Sequence, residues 1–204
     1  KDMHATGRYS PPAKKSMIFS TQSTHKLLAG LSQASQILVK ESEEVKLDQN
    51  IFNESFLMHT STSPQYAIIA SCDVAAAMME PPGGTALVEE SILEALDFRR
   101  AMKKIEKEWG KDWWFEVWGP DDFAENGIGR REDWILKAED TWHGFGDIAP
   151  GFNMLDPIKA TVITPGLSLA GEFEETGIPA SIVKMYLAEN GIIVEKCGLY
   201  SFFI

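Results

Sequence analysis

STQSTHKLLAGLSQAS, residues 20–35, is the segment from which the organisation of this chain is inferred. The apolar run SMIFST (16–21) before it predicts a short buried strand, and ASQILVK (34–40) predicts a second one. Lys26 therefore lies on the turn after a strand, behind hydroxyl side chains and an imidazole and in front of two leucines. A lysine in this position is either an ordinary surface lysine or a reactive amine. Burial beside Leu27 and Leu28 would lower its pKa and leave a neutral amine that attacks a carbonyl.

Composition narrows the possible partners and the compartment. The 204 residues are 44% hydrophobic, which suits one large domain or two small ones. The net charge of −11 argues against nucleic acid and anionic membrane surfaces as partners. Cys72 and Cys197 lie far apart without a CxxC motif, which argues against a disulfide framework or a zinc cluster and favours a reducing compartment. With no signal peptide and no long apolar run, the sequence predicts a cytoplasmic protein.

The remaining pattern predicts an α/β chain. Ser63 is a suitable N-cap, and Pro64 a suitable first residue, for a helix that runs to about Met79. The prolines and glycines of residues 81–84 end that helix. The other predicted elements are a solvated charged loop (40–50), a long amphipathic helix (85–109), an aromatic strand (112–118), a loop (119–133), a strand (158–164), a helix (178–191) and two strands (192–196 and 199–204).

One further polar segment is a candidate for a site. HTSTSP (59–64) places hydroxyl groups before a helix, whose N-terminus favours a phosphate, although capping by Ser63 explains the same residues. Trp113, Trp114 and Trp118 are predicted to pack in a core or an interface. We interpret His143, in TWHGF, as a structural rather than a catalytic histidine.

Several blocks of the chain, in order, resemble the bacterial Orn/Lys/Arg decarboxylases, which depend on pyridoxal 5'-phosphate (PLP). The similar blocks are STQSTHKLLAGLSQASQI (20–37), FNESFLMHTSTSPQYAIIAS (52–71), WHGF (142–145), LDPIKATVITPG (155–166), GIPASIVKMYL (177–187) and GIIVEKCGLYSF (191–202). The resemblance covers nearly the whole chain. It implies the PLP-dependent transferase-like fold (fold type I), with this chain holding the end of the large cofactor domain and the following α+β domain.

The resemblance also implies domain boundaries. Residues 1–80 would be the C-terminal part of the PLP-binding large domain, residues 81–110 a connecting long helix, and residues 111–204 a truncated portion of the small α+β domain. Because the chain starts at Lys1 and stops within the apolar run LYSFFI (199–204), we expect a piece of a longer protein. The aspartate and histidine that the family uses at the PLP ring would lie upstream, so we expect the 204 residues alone to be inactive.

The resemblance assigns roles to five residues. Lys26 would bind the cofactor aldehyde covalently, and Ser23 and His25 would lie at the cofactor, with Ser23 toward its phosphate. Ser61 matches a position, usually threonine, that reaches the cofactor phosphate of the neighbouring subunit, which implies a homodimer with shared active sites and possibly a decamer. Glu195 matches a glutamate that binds the distal cation of the substrate, as a carboxylate naturally does. From the sequence alone, Glu195 would be a solvated residue or a partner of Lys196.

The expected reaction is α-decarboxylation of a basic amino acid to an amine used in polyamine metabolism. Lysine is favoured over ornithine and arginine by overall resemblance, and either His25 or Lys26 supplies the proton to Cα. Two alternatives stay open. One is another fold type I enzyme, such as an aminotransferase or an aldolase. The other is a non-catalytic homologue that regulates a decarboxylase by joining its oligomer, although such a protein would be expected to lose the lysine.

Overall fold

A computed structural model describes residues 16–120, 127–140, 142–146, 148–149, 151 and 153–204. The lead-in that the sequence predicts to be exposed, residues 1–15, and part of the predicted loop 119–133 lie outside the described residues. The chain divides into two compact units, Lys1–Ala86 and Leu87–Ile204. Helices and strands occur in both units, so the predicted mixed α/β class is confirmed.

The first unit contains the turn with the lysine. Strand β1 (Ile18–Gln22) pairs antiparallel with β2 (Gln36–Lys40), in a register that places Phe19 opposite Val39. Helix α1 (Thr24–Leu27) is a single turn between them. Helices α2 (Gln49–His59) and α3 (Tyr66–Met78) follow. The rings of Phe19 and Phe52 stack with centroids 6.3 Å apart, which joins β1 to α2.

Two sequence expectations about this unit are wrong. Helix α2 was not predicted, and its first residues fall inside the segment expected to be a loop; Asp48 caps it by accepting hydrogen bonds from the N–H groups of Asn50 and Ile51. Helix α3 begins at Tyr66 with Gln65 at the N-cap, so Ser63 does not cap it. The reason is a local turn, in which the hydroxyl of Ser61 accepts a hydrogen bond from the N–H of Ser63 at 3.1 Å and keeps that backbone outside the helix.

Helix α4 (Gly83–Trp109) begins two residues before the predicted start and ends where predicted. Its first turn depends on a close approach of two backbones. A Cβ atom on Gly84 would lie 2.3 Å from the carbonyl carbon of Met79, whereas a Cβ on Gly83 would meet nothing nearer than 4.0 Å. The backbone at the start of α4 can therefore pass this close to Met79 because residue 84 has no side chain.

The second unit is built on an antiparallel sheet of β3 (Glu116–Trp118), β4 (Thr161–Ile163) and β5 (Ser201–Phe203), with β4 in the centre. Helix α5 (Ala180–Glu189) provides buried Ala180 to the same core. The core contains Val117, Ala160, Val162, Ala180, Val194 and Phe202, with Phe98 and Met102 of α4 packed against it. Burial of these side chains is the main driving force for folding of this unit.

A second apolar cluster lies around Trp134 and contains Leu96, Leu136 and Leu155. Beside Leu96 on α4, Arg99 is completely buried; its guanidinium donates to the carbonyl oxygens of Trp118 at 2.8 Å and Lys159 at 2.6 Å. Burial lowers the pKa of Arg99 to about 10, an effect that the charge of Asp156 partly opposes.

The predicted strand 192–196 is also wrong. These residues are not part of the sheet, although the N–H of Glu195 donates to the carbonyl of Phe203 at 3.1 Å. Ile192 instead closes the end of α5 by donating its N–H to the carbonyl of Leu187. The composition of this apolar run is typical of a strand, but only Val194 among its residues is buried.

Candidate functional site

The lysine predicted to be reactive lies in a turn that is anchored on both sides. Its N–H donates to the carbonyl of Ser23 at 3.1 Å, and Ser23 is the N-cap of α1. Thr24 is buried, and its hydroxyl accepts a hydrogen bond from the side chain of Gln36 on β2 at 2.9 Å. The strand pair therefore fixes the backbone of the turn that carries Lys26.

Helix α3 fixes the loop after this turn. The hydroxyl of Ser71 accepts the N–H of Leu31 at 2.9 Å and donates to the carbonyl of Ile68 at 2.6 Å. Neither Ser71 nor Gln36 was singled out from the sequence. Each of the two is a polar residue within an otherwise apolar stretch of sequence, which is the feature that could have indicated a structural hydrogen bond.

The ring orientation of His25 is determined by one carbonyl. Both the backbone N–H and the Nδ1 atom of His25 contact the carbonyl oxygen of Ala34, at 3.3 and 2.8 Å. A carbonyl only accepts hydrogen bonds, so Nδ1 carries a proton. In the neutral ring, Nε2 is then the nitrogen that can accept a proton or contact a ligand.

The side chain of Lys26 is exposed, and Leu28 is half-buried. The described residues of this chain therefore do not bury Lys26, and its role as a reactive amine stays a prediction. The reason for the exposure is the one-turn helix, which places Lys26 on its outer side while Thr24 turns inward. Within the described residues, the ammonium forms no hydrogen bond or ion pair, so it is available to a ligand.

Ser61 lies in the loop between α2 and α3, where the serine side chains are exposed. Within the described residues, no side chain caps the start of α3. Among the described residues, the hydroxyl of Ser61 hydrogen-bonds within its own loop, to the N–H and the carbonyl of Ser63. Ser61 and the Lys26 turn belong to the same unit, but the described hydrogen bonds do not join them.

Glu195 belongs to the second unit, and its side chain is exposed. Its backbone is held at both polar groups: the N–H donates to Phe203, and the carbonyl accepts a hydrogen bond from the Nζ atom of Lys184 on α5 at 3.0 Å. Lys184 was not singled out from the sequence. The available signal was its position on α5, four residues after the buried Ala180 and therefore on the same helix face.

His143 has the structural role that the sequence predicted. Its side chain is buried, Nδ1 accepts the N–H of Phe145 at 3.1 Å, and Nε2 donates to the carbonyl of Lys137 at 2.6 Å. Both ring nitrogens are thus occupied. Trp118 packs on Trp142 as expected, with ring centroids 5.1 Å apart, whereas the exposed side chain of Trp114 is not in a core.

Other kinds of site find little support in the described part of the chain. A cavity of about 760 Å³ in the second unit is bordered by Trp113, Thr164 and Glu174, and none of the predicted site residues lines it. Among the described residues, no group of histidine, cysteine and acidic side chains could hold a metal ion. No helix there is long and apolar enough to span a membrane.

A mixed α/β fold with an anchored lysine turn defines the general class of this chain, and comparison with known proteins defines its family. The chain belongs to the Orn/Lys/Arg decarboxylase family, because the model of the family's major domain matches residues 6–204. The resemblance read from the sequence is confirmed.

The relatives include bacterial lysine decarboxylases. The chain is 51% identical over 203 residues to lysine decarboxylase LdcA of Pseudomonas aeruginosa, covering 97% of this chain and 27% of that protein. It is 49% identical over 185 residues to a lysine decarboxylase of Hafnia alvei, covering 91% and 24%. The solved structure of lysine decarboxylase A from P. aeruginosa superposes with a TM-score of 0.82 at 53% identity, covering 92% of this chain and 25% of that one.

Decarboxylases for other substrates match with lower identity. The biodegradative arginine decarboxylase of Escherichia coli is 41% identical over 86% of this chain and 25% of its own length. An ornithine decarboxylase of Haemophilus influenzae is 36% identical over 90% and 27%. The chain thus spans about a quarter of the length of the relatives that it matches.

Proposed function

We propose that the full-length protein is a PLP-dependent decarboxylase that converts lysine to cadaverine and CO2. The order of identities carries this proposal, because two lysine decarboxylases match at 51% and 49%, an arginine decarboxylase at 41% and an ornithine decarboxylase at 36%. In the reaction, the bond between Cα and the carboxylate breaks, CO2 leaves, and Cα takes up a proton.

The residues of the lysine turn fit PLP by their chemistry. Lys26 offers an exposed amine for the aldehyde, and the hydroxyl of Ser23, which makes no capping hydrogen bond, is available to the phosphate. PLP, when bound, supplies an electron sink for the carbanion left by loss of CO2. The hydrogen bonds around Thr24 hold the amine in place, which lowers the entropic cost of a productive geometry.

Two groups on the turn can hold the proton that Cα takes up. One is the amine of Lys26, in the state in which it is not bonded to the cofactor. The other is Nε2 of His25, because Nδ1 is fixed on the carbonyl of Ala34. The upstream part of the full-length protein would supply the surroundings that desolvate Lys26, since this chain leaves it exposed.

We assign recognition of the substrate's distal ammonium to Glu195, because a carboxylate pairs with an ammonium through charge-assisted hydrogen bonds. We assign Ser61 to the phosphate in the neighbouring subunit's active site. This assignment requires at least a homodimer, and a larger oligomer such as a decamer is compatible with it.

We also assign the domains of the fold type I arrangement. Residues 1–80 would form the C-terminal part of the large cofactor domain. Residues 81–110 would form a long helix that connects it to the small domain, of which residues 111–204 would be a portion.

The experiment is product analysis with the full-length protein loaded with PLP and given lysine, arginine or ornithine separately. We expect cadaverine and CO2 from lysine at the highest kcat/KM. Lys26→Ala should lower kcat by at least about a thousandfold, because it removes the covalent attachment point.

The matched control is Lys46→Ala, which removes an exposed lysine of the same unit that pairs with Glu41. It should leave kcat unchanged within about twofold. An oxo acid or a cleaved aldehyde as product would instead identify an aminotransferase or an aldolase. Absence of any product from all three amino acids would favour a non-catalytic homologue.

A further inference from the structure

A cation from α5 holds the peptide group of Glu195. The Nζ atom of Lys184 lies 3.0 Å from the carbonyl oxygen of Glu195, and the side chain of Lys184 is half-buried. A charged donor makes a stronger hydrogen bond to a carbonyl than a neutral one does. The contact joins a regular helix to a segment that lacks strand structure of its own.

The hydrogen bond from Lys184 is one of several contacts that hold residues 194–196 in place. On one side of Glu195, Val194 is buried in the sheet core, and its neighbour Ile193 is 81% exposed. On the other side, the carbonyl of Lys196 accepts the N–H of Phe203 at 3.2 Å. Glu195 itself donates its N–H to the carbonyl of Phe203. Without Lys184, its own carbonyl would have no described partner, and rotation of that peptide would redirect the carboxylate.

We propose that Lys184 is a positioning residue, whose ammonium fixes the direction in which Glu195 presents its carboxylate to the distal cation of the substrate. The inference rests on the proposed role of Glu195 in lysine decarboxylation. Lys184 acts through the backbone and does not touch the substrate. Its loss should therefore weaken recognition of the distal ammonium while leaving the reaction at Cα intact.

The test compares two substrates in the full-length holoenzyme: lysine, and norleucine, which has the same carbon chain with a hydrogen in place of the distal ammonium. Lys184→Met keeps the length and the apolar stem but removes the charge. We expect it to lower kcat/KM for lysine about three- to tenfold, mainly through KM, and to leave kcat/KM for norleucine nearly unchanged. Lys184→Arg, which retains a cationic donor, should restore part of the loss.

Two further variants separate the possible failures. Lys104→Met removes a 76%-exposed lysine of α4 that pairs only weakly with Glu108 at 3.8 Å, and it should change neither substrate's kinetics. Glu195→Gln should lower the preference for lysine over norleucine more than Lys184→Met does.

The outcomes distinguish the two roles. If Glu195→Gln loses the preference for lysine over norleucine and Lys184→Met does not, the positioning role is refuted while the role of Glu195 stands. If Glu195→Gln keeps the preference, the role of Glu195 is refuted, and the positioning role falls with it. Equal losses with both substrates in Lys184→Met would show a general structural defect and would also refute the positioning role.

Discussion

The guanidinium of Arg99 satisfies two backbone carbonyls inside the second unit. It donates to Trp118 at the end of β3 and to Lys159 just before β4, so one side chain ties α4 to both segments. Replacement by methionine would keep much of the volume but leave both carbonyls without this donor. We expect Arg99→Met to lower the free energy of unfolding by about 2–4 kcal/mol, measured by denaturant titration of the full-length protein.

The control for this prediction is Arg130→Met, because the side chain of Arg130 is 80% exposed and pairs with Asp133 at the surface. It should have a much smaller effect. The pKa of Arg99 is depressed to about 10, so the folded state loses this proton at lower pH than the unfolded state does. The contribution of Arg99 to stability should therefore rise with pH only above about pH 10, and the effect of Arg99→Met should be equal at about pH 6 and about pH 8. A loss of stability no larger than that of Arg130→Met would contradict this account.

At the scale of single residues, the sequence predicts those features that depend on residues adjacent in the chain. The order Ser23, Thr24, His25, Lys26 was enough to single out the turn, and His143 was correctly read as structural. The exposure of Lys26 was not predictable, because it depends on which side of a one-turn helix faces β2. The contacts from Gln36 and Lys184 join residues distant in sequence, and nothing in their immediate neighbourhood specifies those partners.

At the scale of elements, the junction between α3 and α4 depends on one glycine. Gly84→Ala would place a Cβ atom 2.3 Å from the backbone of Met79, and backbone cannot move aside as a flexible side chain does. We expect it to lower the free energy of unfolding by about 2–4 kcal/mol. Gly83→Ala, one position earlier, meets no atom closer than 4.0 Å and should be neutral or slightly stabilising.

Thermal unfolding of the two alanine variants, side by side in the full-length protein, measures this difference. Their chemical change is the same, so their helix propensities change alike, and only the space around the new methyl differs. Equal melting temperatures for the two variants would show that the close approach at Gly84 is not a constraint on the fold.

At the same scale, the ends of an element were predicted within a few residues where its apolar residues follow a regular pattern, and elements without such a pattern were missed or misassigned. The long helix has apolar residues at regular spacing along one face and was found with its end at Trp109. Helix α2 was missed because its apolar side chains are not confined to one face, and none of them is buried. Only Asp48, as a helix cap, pointed to it. The segment 192–196 has a strand's composition, but its pairing with β5 is restricted to Glu195 and Lys196.

At the scale of the whole molecule, shared active sites predict a specific complementation. If Ser61 serves the neighbouring subunit, a hybrid dimer of Lys26→Ala and Ser61→Asp subunits has both defects at one site and none at the other. Each hybrid dimer has one intact site of two, so the purified hybrid should have about half of the wild-type activity. Co-expression of the two variants with different tags, followed by assay of the purified hybrid, measures it.

Each variant expressed alone is the control, and each should be nearly inactive, because Ser61→Asp places a negative charge against the phosphate. If Ser61 contacts the cofactor of its own subunit, every site in the hybrid carries one defect. Hybrid activity no greater than that of the variants alone would then contradict shared sites.

The proposed function depends above all on Lys26 being the residue to which PLP is covalently attached. The most direct measurement is borohydride reduction of the full-length protein loaded with PLP, followed by digestion and peptide mass spectrometry. We predict a single pyridoxyl-modified lysine at position 26, and no such modification in Lys26→Ala. A stoichiometric modification on any other lysine, or none in a protein that still releases CO2 from lysine, would contradict it.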